Sequence, residues 1–266
     1  MPMKGLEWTF DTVAEEYDKW RPEYVPELYS DIFWYTNIFP ESHALEIGIG
    51  TGQATKPILE TGCSVIAVEP GKNLAELTRE NFKLHHNLTV VNSSFQSFVC
   101  ENESFDLIYS ASAFHWIDEE EGYRKVYHLL KPGGTFARFA SHPFNYIEGQ
   151  EELSDKIETI YFKYMPRHEG ETSPKPRYIY NEVDAKKRSE IALKYGFCDI
   201  KTHVYYRDLV YTSEEYIKRI GIECDKIAMD SSTRKQLLND ISNAIDEYGG
   251  KIIIRDMIDL NLARKL

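Results

Sequence analysis

Five short apolar runs alternate with helical patterns between residues 43 and 140, and this alternation restricts the possible folds more than any other feature of the sequence. The runs are His43–Ile49, Ser64–Glu69, Leu88–Asn92, Phe105–Ser110 and Thr135–Ala140. The segments between them predict helices at Gln53–Glu60, Lys72–Asn81 and Glu119–Leu130, the last ending at a Lys-Pro-Gly-Gly break. Such alternation predicts a parallel sheet with right-handed crossovers and helices on both faces.

The chain changes character after residue 140. The stretch 141–181 is rich in Pro, Tyr, Gly and charged residues around a helical pattern at 151–164, and it is equally consistent with a lid over the sheet edge or an irregular surface excursion. Beyond it, helices are predicted at 182–195, 213–220 and 233–248, and strands at 200–211 and 251–262. These two strands predict a hairpin added to the sheet, with a helical insertion between them. We expect one domain over 1–266, made of an N-terminal helical segment (8–35), a core sheet (43–140), the lid-like insertion and a C-terminal part (182–266).

Composition excludes several classes of protein. The 266 residues contain 31 Lys and Arg against 43 Asp and Glu, a formal net charge of −12, and 42% are hydrophobic. This supports a sizeable core and argues against a nucleic-acid partner, which needs clustered cations. No apolar run reaches the roughly 18 residues of a membrane span, the N-terminus lacks a signal-peptide pattern, and the four cysteines lack metal-binding or disulfide spacing. We therefore expect a cytoplasmic protein with no membrane or nucleic-acid partner and no metal.

The strongest chemical signal is an apolar strand that runs directly into the segment EIGIGTG, residues 46–52. Glycines at alternate positions let the chain turn sharply and let a ligand lie against bare backbone. The spacing differs from the dinucleotide fingerprint GxGxxG, because Gln53 stands where the third glycine would be. Glu46 would repel a pyrophosphate and attract an ammonium group, so the turn favours an amino-acid-like ligand. At the end of the next apolar run, Glu69 stands where an acid can accept both hydroxyls of a ribose.

These features resemble the class I S-adenosylmethionine-dependent methyltransferases, and most closely a small-molecule branch similar to trans-aconitate methyltransferase. The residues that carry the resemblance are the glycine turn, Glu69, the pattern F-D-x-x-A-x-x-Y-D-x-x-R-P-x-Y at 10–24, and the segments 94–96, 105–108, 113–116 and 130–134. The resemblance implies a Rossmann-like, seven-stranded, mostly parallel sheet with helices on both faces, antiparallel C-terminal strands and helical lid insertions. It also implies S-adenosylmethionine as cofactor and transfer of the sulfonium methyl, by in-line displacement, to a small-molecule acceptor.

The resemblance further implies which residues contact the cofactor. They are Tyr17, Arg21, Glu46, Gly48, Gly50, Thr51, Gly52, Glu69, Pro70, Leu74, Ser94, Phe95, Ser110, Ala111 and Phe114. The turn would hold the methionine part, Glu69 the ribose and Phe95 the adenine face. Many relatives carry an aspartate at the end of the third strand; Asn92 stands near that position here, so adenine recognition would rest on backbone groups, Phe95 and Gln96.

Several candidate residues have two interpretations. Tyr17 and Arg21 are four residues apart and share a helix face; Arg21 either pairs with the cofactor carboxylate or forms a surface salt bridge. His115 is a candidate general base, or it and Trp116 only shape the pocket floor. Candidate acceptor contacts are Trp116, Tyr178 and Tyr180.

Other functions and acceptors remain as alternatives. A non-catalytic S-adenosylmethionine-binding sensor or partner protein is consistent with the sequence, because methyl transfer leaves few diagnostic catalytic residues. An NAD-dependent oxidoreductase is opposed by Gln53 and Glu46. The chain lacks the Asn-Pro-Pro-Tyr and Pro-Cys segments of nucleic-acid methyltransferases. A small acidic acceptor stays open, since local cations offset the net charge: Arg138, Arg167, Lys175 and Arg177. The sequence indicates neither the methylated atom nor the oligomeric state.

Overall fold

A seven-stranded mixed sheet forms the centre of the fold in the computed structural model, which describes residues 5–145, 148–165 and 178–266. The strands are β1 (His43–Ile47), β2 (Ser64–Glu69), β3 (Leu88–Asn92), β4 (Phe105–Ala111), β5 (Leu130–Phe144), β6 (Phe197–Thr212) and β7 (Lys251–Lys265). Their order is β3-β2-β1-β4-β5-β7-β6. The first five strands pair in parallel and the C-terminal strands are antiparallel, which confirms the predicted fold class.

Helices connect the strands. In the described ranges they are α1 (Ala14–Trp20), α2 (Pro26–Thr36), α3 (Lys56–Leu59), α4 (Lys72–Asn81), α5 (Glu119–Leu129), α6 (Glu151–Tyr164), α7 (Glu182–Glu190), α8 (Ser213–Gly221), α9 (Cys224–Ile227) and α10 (Ser231–Glu247). Three 3₁₀ segments accompany them: Glu7–Val13, Phe114–Trp116 and Ile191–Tyr195. Local signals explain several helix ends. The side chains of Asn181 and Thr212 form capping boxes at the starts of α7 and α8, and Gly196 terminates the Ile191–Tyr195 segment in a left-handed conformation.

The helix predicted at Gln53–Glu60 is shorter than expected and occupies only Lys56–Leu59. The residues before it form successive tight turns, in which the Gly52 amide donates to Ile49 O (3.0 Å) and the Thr55 amide donates to Gly52 O (3.1 Å). Gly52 has a φ of +97°, which a right-handed helix does not contain. The glycine turn therefore continues beyond its last glycine before the helix begins.

Strand β5 extends beyond the predicted Thr135–Ala140 at both ends, and the Lys-Pro-Gly-Gly segment lies within it. The pairing with β4 passes from Phe105↔Leu130 to Leu107↔Thr135, so the extra residues form a bulge. Gly133 has a φ of +78° at this bulge, where glycine costs least. The segment ends α5 as predicted, but it does not separate the helix from the strand.

The chain divides into two compact units. The first comprises the residues up to Ser141, Asn181–Tyr205 and Ile258–Leu266; the second comprises His142–Tyr180 and Tyr206–Met257. In the first unit, neighbouring residues of β1 belong to different apolar clusters: Ala44 packs with Ile58 and Tyr109, whereas Leu45 packs with Ile108. Because side chains alternate along a strand, these clusters lie on opposite faces of the sheet.

The second unit has an apolar cluster of its own. Leu153 and Ile157 of α6 pack with Leu237 and Ile241 of α10, and Ile220 of α8 joins them. Ile157, Leu237 and Ile241 are completely buried. Residues 146–147 and 166–177 of the predicted lid-like insertion lie outside the described residues.

Candidate functional site

The glycine turn follows β1, and neighbouring side chains leave no room for a Cβ atom at two of its glycines. A Cβ atom on Gly48 would lie 2.5 Å from Ala113 Cβ, and one on Gly52 would lie 2.3 Å from Phe82 Cε2. Both glycines also have positive φ angles, +73° and +97°. The requirement for glycine is therefore steric as well as conformational, and it leaves bare backbone at the carboxyl end of β1.

Glu46 is a fully buried acid on the strand that leads into this turn. Its Oε2 atom accepts hydrogen bonds from Thr55 Oγ1 (2.7 Å) and the Tyr109 hydroxyl (2.8 Å). Its Oε1 atom is also buried, and it has no hydrogen-bond partner in the described part of the chain. Burial raises the pKa of Glu46 to about 7, although the two hydroxyl donors favour the charged form.

Glu69, at the end of β2, binds the turn directly. Its Oε2 accepts from the Gly50 amide and its Oε1 accepts from the Gly71 amide, each at 2.9 Å. Burial raises the pKa of Glu69 to about 7, the two amide donors oppose that rise, and the nearby Asp11 carboxylate adds to it. The predicted ribose acid thus lies beside the glycine turn, with both oxygens held by backbone amides.

The N-terminal segment lies against the same turn. Tyr17 Cε1 is 3.4 Å from the position of a Cβ on Gly50, and the Arg21 guanidinium carbon lies 5.9 Å from the centre of the Tyr17 ring. Asp11 Oδ1 accepts from the Leu74 amide (3.0 Å) at the start of α4. Sequence reasoning did not select Asp11 as a site residue, although it belongs to the Phe-Asp pair that opens the 10–24 pattern. The structure thus brings Tyr17 to the glycine turn, places Arg21 beside Tyr17, and adds Asp11.

Asn92 ties the ends of β2 and β3 together. Its side-chain amide donates to Glu69 O (2.9 Å) and to Pro70 O (3.0 Å). Asn92 thus orders the backbone on both sides of the Glu69–Pro70 peptide. Leu74, the other predicted pocket residue here, is buried.

Residues 94–98 form a tight turn after β3. The Ser97 amide donates to Ser94 Oγ (3.1 Å), and the Phe98 amide donates to Ser94 O (3.0 Å). The Phe95 side chain is buried in the cluster that contains Val68. Lys125, on α5, donates to carbonyl oxygens of this turn.

The end of β4 contributes two serines. Ser110, predicted to contact the cofactor, is fully buried and its hydroxyl donates to Ile47 O (3.0 Å), which joins β4 to β1. After Ala111, the last residue of β4, Ser112 has a φ of +52°. Its hydroxyl lies 2.9 Å from the Tyr24 hydroxyl. A non-glycine residue in this conformation is uncommon and marks a locally constrained backbone. No sequence pattern predicts the positive φ angle of Ser112.

The 3₁₀ segment Phe114–Trp116 contains a buried ring, an exposed one and a half-buried one. Phe114 packs against Tyr123 and Phe136, with ring centroids 5.2 and 5.0 Å away, and it is buried. His115 is exposed, and the Trp116 ring lies 6.3 Å from that of Phe10. Trp116 therefore meets the N-terminal segment.

The remaining candidates have other surroundings. Tyr178 and Tyr180 belong to the second unit, where Tyr180 stacks on His142 at 3.7 Å and Tyr178 is 71% exposed. The Arg138 guanidinium lies 5.1 Å from the centre of the Phe114 ring and donates to the Tyr123 hydroxyl (3.1 Å). The other three cations considered for an acidic acceptor, at 167, 175 and 177, lie outside the described residues.

The described residues contain neither a metal-binding cluster nor a helix that could span a membrane. In residues 5–145, 148–165 and 178–266, no three His, Cys, Asp or Glu side chains are grouped so that they could hold a metal ion. Within the same ranges, no helix has both the length and the apolar composition needed to cross a bilayer.

Comparison with known proteins agrees with this geometry. Residues 45–137 match a family described as a methyltransferase domain. An uncharacterized methyltransferase from Geobacillus kaustophilus is 31% identical over 175 residues, which cover 58% of this chain and 80% of that protein. The matches to some other curated methyltransferases span about half of those proteins, 48% and 51% in two cases.

Solved structures share the fold at low sequence identity. One from Anaeromyxobacter dehalogenans, described as a type II methyltransferase, has a TM-score of 0.64 and 19% identity over 92% of this chain and 97% of that one. Phosphoethanolamine N-methyltransferase 2 from Haemonchus contortus, in complex with phosphomonomethylethanolamine and S-adenosylhomocysteine, has a TM-score of 0.56 and 18% identity over 96% of this chain and 57% of that one.

Proposed function

Because this chain belongs to the class I S-adenosylmethionine-dependent methyltransferases, we propose that it binds S-adenosylmethionine at the glycine turn and transfers the methyl group to a small-molecule acceptor. The observation that carries the proposal is the buried Oε1 atom of Glu46, which has no partner among the described residues. A buried acceptor without a partner is costly, and the ammonium group of the cofactor's methionine part would satisfy it.

The chain's own groups fit the rest of the cofactor. The bare backbone of Gly48, Gly50 and Gly52 suits the methionine chain, with Thr51 between the last two glycines. Glu69 keeps free lone pairs beside its two amide bonds and so suits the ribose hydroxyls. Leu74 and Pro70 would border the adenine.

Positioning is the main contribution that methyl transfer needs from this protein. When bound, the cofactor supplies an activated methyl group on a sulfonium sulfur. The residues of the turn would fix that group, so that an acceptor held in line meets it at near-attack distance. His115 follows β4 and is exposed, and we propose it as the group that takes the proton from an acceptor that loses one on methylation.

The small-molecule character of the acceptor rests on the sequence. A net charge of −12 disfavours approach to nucleic acid, and the target-specific segments of nucleic-acid enzymes are missing. The motif set resembles the branch similar to trans-aconitate methyltransferase. The Haemonchus enzyme of the same fold is one whose complex holds a small molecule, phosphomonomethylethanolamine.

Thermal unfolding with S-adenosylmethionine, S-adenosylhomocysteine and NADH in parallel tests the cofactor. A ligand at 100 times its dissociation constant adds about 2.7 kcal/mol, which raises the Tm by about 2–4 °C for a protein of this size. We expect that shift with both sulfur compounds and none with NADH. No shift with either sulfur compound would contradict the proposal.

Glu69→Ala links the cofactor to the site. Losing a charge-assisted hydrogen bond to the ribose should weaken S-adenosylmethionine binding in calorimetry by about 1.5–3 kcal/mol. Glu60→Ala is the matched control, because the Glu60 carboxylate is 61% exposed and pairs only with Lys56 at 4.0 Å among the described residues. Equal affinities for all three proteins would refute the ribose role. Binding without turnover on any acceptor panel would favour a sensor over an enzyme with a small-molecule acceptor.

A further inference from the structure

The ammonium group of Lys125 faces three carbonyl oxygens of a single turn. Lys125 Nζ lies 2.6 Å from Phe95 O, 2.9 Å from Gln96 O and 2.5 Å from Phe98 O. It also lies 5.0 Å from the centre of the Phe95 ring. An ammonium group has three protons to donate, so one lysine of α5 uses its full hydrogen-bonding capacity on this turn.

The amides of the turn fall into two pairs. Those of Ser97 and Phe98 donate to Ser94, whereas those of Phe95 and Gln96 donate to no protein group in the described ranges. The Gln96 N–H shares a planar peptide with the Phe95 carbonyl, so it points away from Lys125. The turn therefore presents the Gln96 donor on the side opposite the lysine.

A cation on one end of a peptide strengthens the donor at its other end. Hydrogen bonds in a chain polarise one another, by an estimated 10–30% per bond. The Phe95 carbonyl accepts from a full positive charge, so the Gln96 N–H in the same peptide becomes a better donor. The Ser94 carbonyl accepts from the Phe98 amide, which has a weaker effect of the same kind on the Phe95 N–H.

We propose that Lys125 is a positioning residue for the adenine of the cofactor: it holds the 94–98 turn and polarises the Gln96 amide, which would donate to the adenine ring nitrogen N1. This role rests on the proposed function and on the placement of adenine at Phe95, which the family resemblance implies. Adenine recognition would then depend on the 94–98 turn, whose carbonyl oxygens accept from Lys125 of α5, and not on the aspartate that many relatives carry.

Calorimetry with two ligands tests the role of Lys125. Lys125→Met should raise the Kd of S-adenosylhomocysteine about 10-fold, or about 1.4 kcal/mol. S-inosylhomocysteine carries N1–H, a donor, so it cannot accept the same bond and its Kd should change less than about threefold. Lys125→Arg, which keeps the charge, should recover most of the affinity for S-adenosylhomocysteine. The matched control is Arg124→Met, because Arg124 is the preceding residue of α5 and its guanidinium pairs with Glu120 at 2.9 Å.

Two results would overturn the proposal. One is an unchanged Kd of S-adenosylhomocysteine in Lys125→Met. The other is an equal loss for both ligands, which would mean that the lysine only keeps the turn folded. If Lys125→Met fails to fold, Lys125→Gln, which keeps a donor but removes the charge, is measured in the same way. If the wild type binds no S-adenosylhomocysteine, the proposed function itself fails and this role fails with it, an outcome distinct from wild-type binding that Lys125→Met leaves unchanged.

Discussion

Replacing Glu46 with glutamine should flatten the pH dependence of stability. The pKa of Glu46 rises from 4.5 to about 7 in the folded protein. The folded state therefore binds a proton that the unfolded state releases between these values, so the free energy of unfolding falls as the pH rises through this range. The contribution is complete below pH 4.5 and lost above about pH 7.

The magnitude follows from the two pKa values. At 1.36 kcal/mol per pKa unit, the full effect is about 3 kcal/mol, of which about 2 kcal/mol falls between pH 5.5 and 8. Glutamine stays neutral, so the wild type should lose about 2 kcal/mol more than Glu46→Gln over that interval. The glutamine NH₂ group adds its own cost of burial, but that cost is the same at every pH.

Urea unfolding of the ligand-free protein at several pH values measures this difference. The free energy of unfolding is extrapolated to water at each pH, and the slopes of the two proteins are compared. Glu60→Gln is the control, because its carboxylate is exposed and should leave the slope unchanged. Glu69, whose pKa is also raised, is present in all three proteins, and its repulsion of the Glu46 carboxylate is part of the difference that is measured. Parallel curves for wild type and Glu46→Gln would refute the reasoning.

Three further predictions concern other parts of the chain. Gly52→Ala should lower the free energy of unfolding by about 2–4 kcal/mol in urea, since its Cβ would lie 2.3 Å from the Phe82 ring, whereas Gly133→Ala, with nothing within 4 Å, should cost only about 1–2 kcal/mol for its positive φ. Equal losses would remove the steric argument. Arg21→Ala should weaken the binding of S-adenosylmethionine in calorimetry but leave the binding of 5′-methylthioadenosine, which lacks the carboxylate, nearly unchanged. Equal losses of affinity for both ligands would argue against the pairing of Arg21 with the cofactor carboxylate. Leu237→Ala, at a fully buried position in the second unit, should cost about 2–5 kcal/mol of stability, and a loss below 1 kcal/mol would contradict the packing.

Local patterns in the sequence were sufficient for most elements of the sheet. The strands Ser64–Glu69 and Leu88–Asn92 and the helix Lys72–Asn81 have the predicted bounds, because each is an apolar or amphipathic run between clear turn signals. The start of α3 differs because local tight turns around Gly52 delay the helix. The extent of β5 differs because the segment around Gly133 forms a bulge in the pairing with β4, which no local pattern encodes. The division of the chain into two units was not predicted.

The site shows the same limit. The glycine turn and Glu69 are visible in the sequence because their chemistry lies in contiguous residues. The partners of Glu46 include Tyr109, which is 63 positions away in the sequence, and Asp11 and Leu74, which are in contact, have the same sequence separation. Lys125 reaches carbonyls about 30 residues earlier in the chain. Such pairs depend on which crossover helix packs against which strand end, and a single sequence does not give that register.

The two segments of the second unit have a consequence for how such proteins diversify. The family match at 45–137 falls wholly within the first unit, and the second is built from two stretches separated by residues 181–205 of the first. Because α6 from one stretch and α10 from the other share one apolar cluster, neither stretch can be inherited alone without leaving that cluster half formed. A chimera between two relatives should therefore exchange 142–180 and 206–257 together, and natural recombination would be expected to favour exchanges that move both.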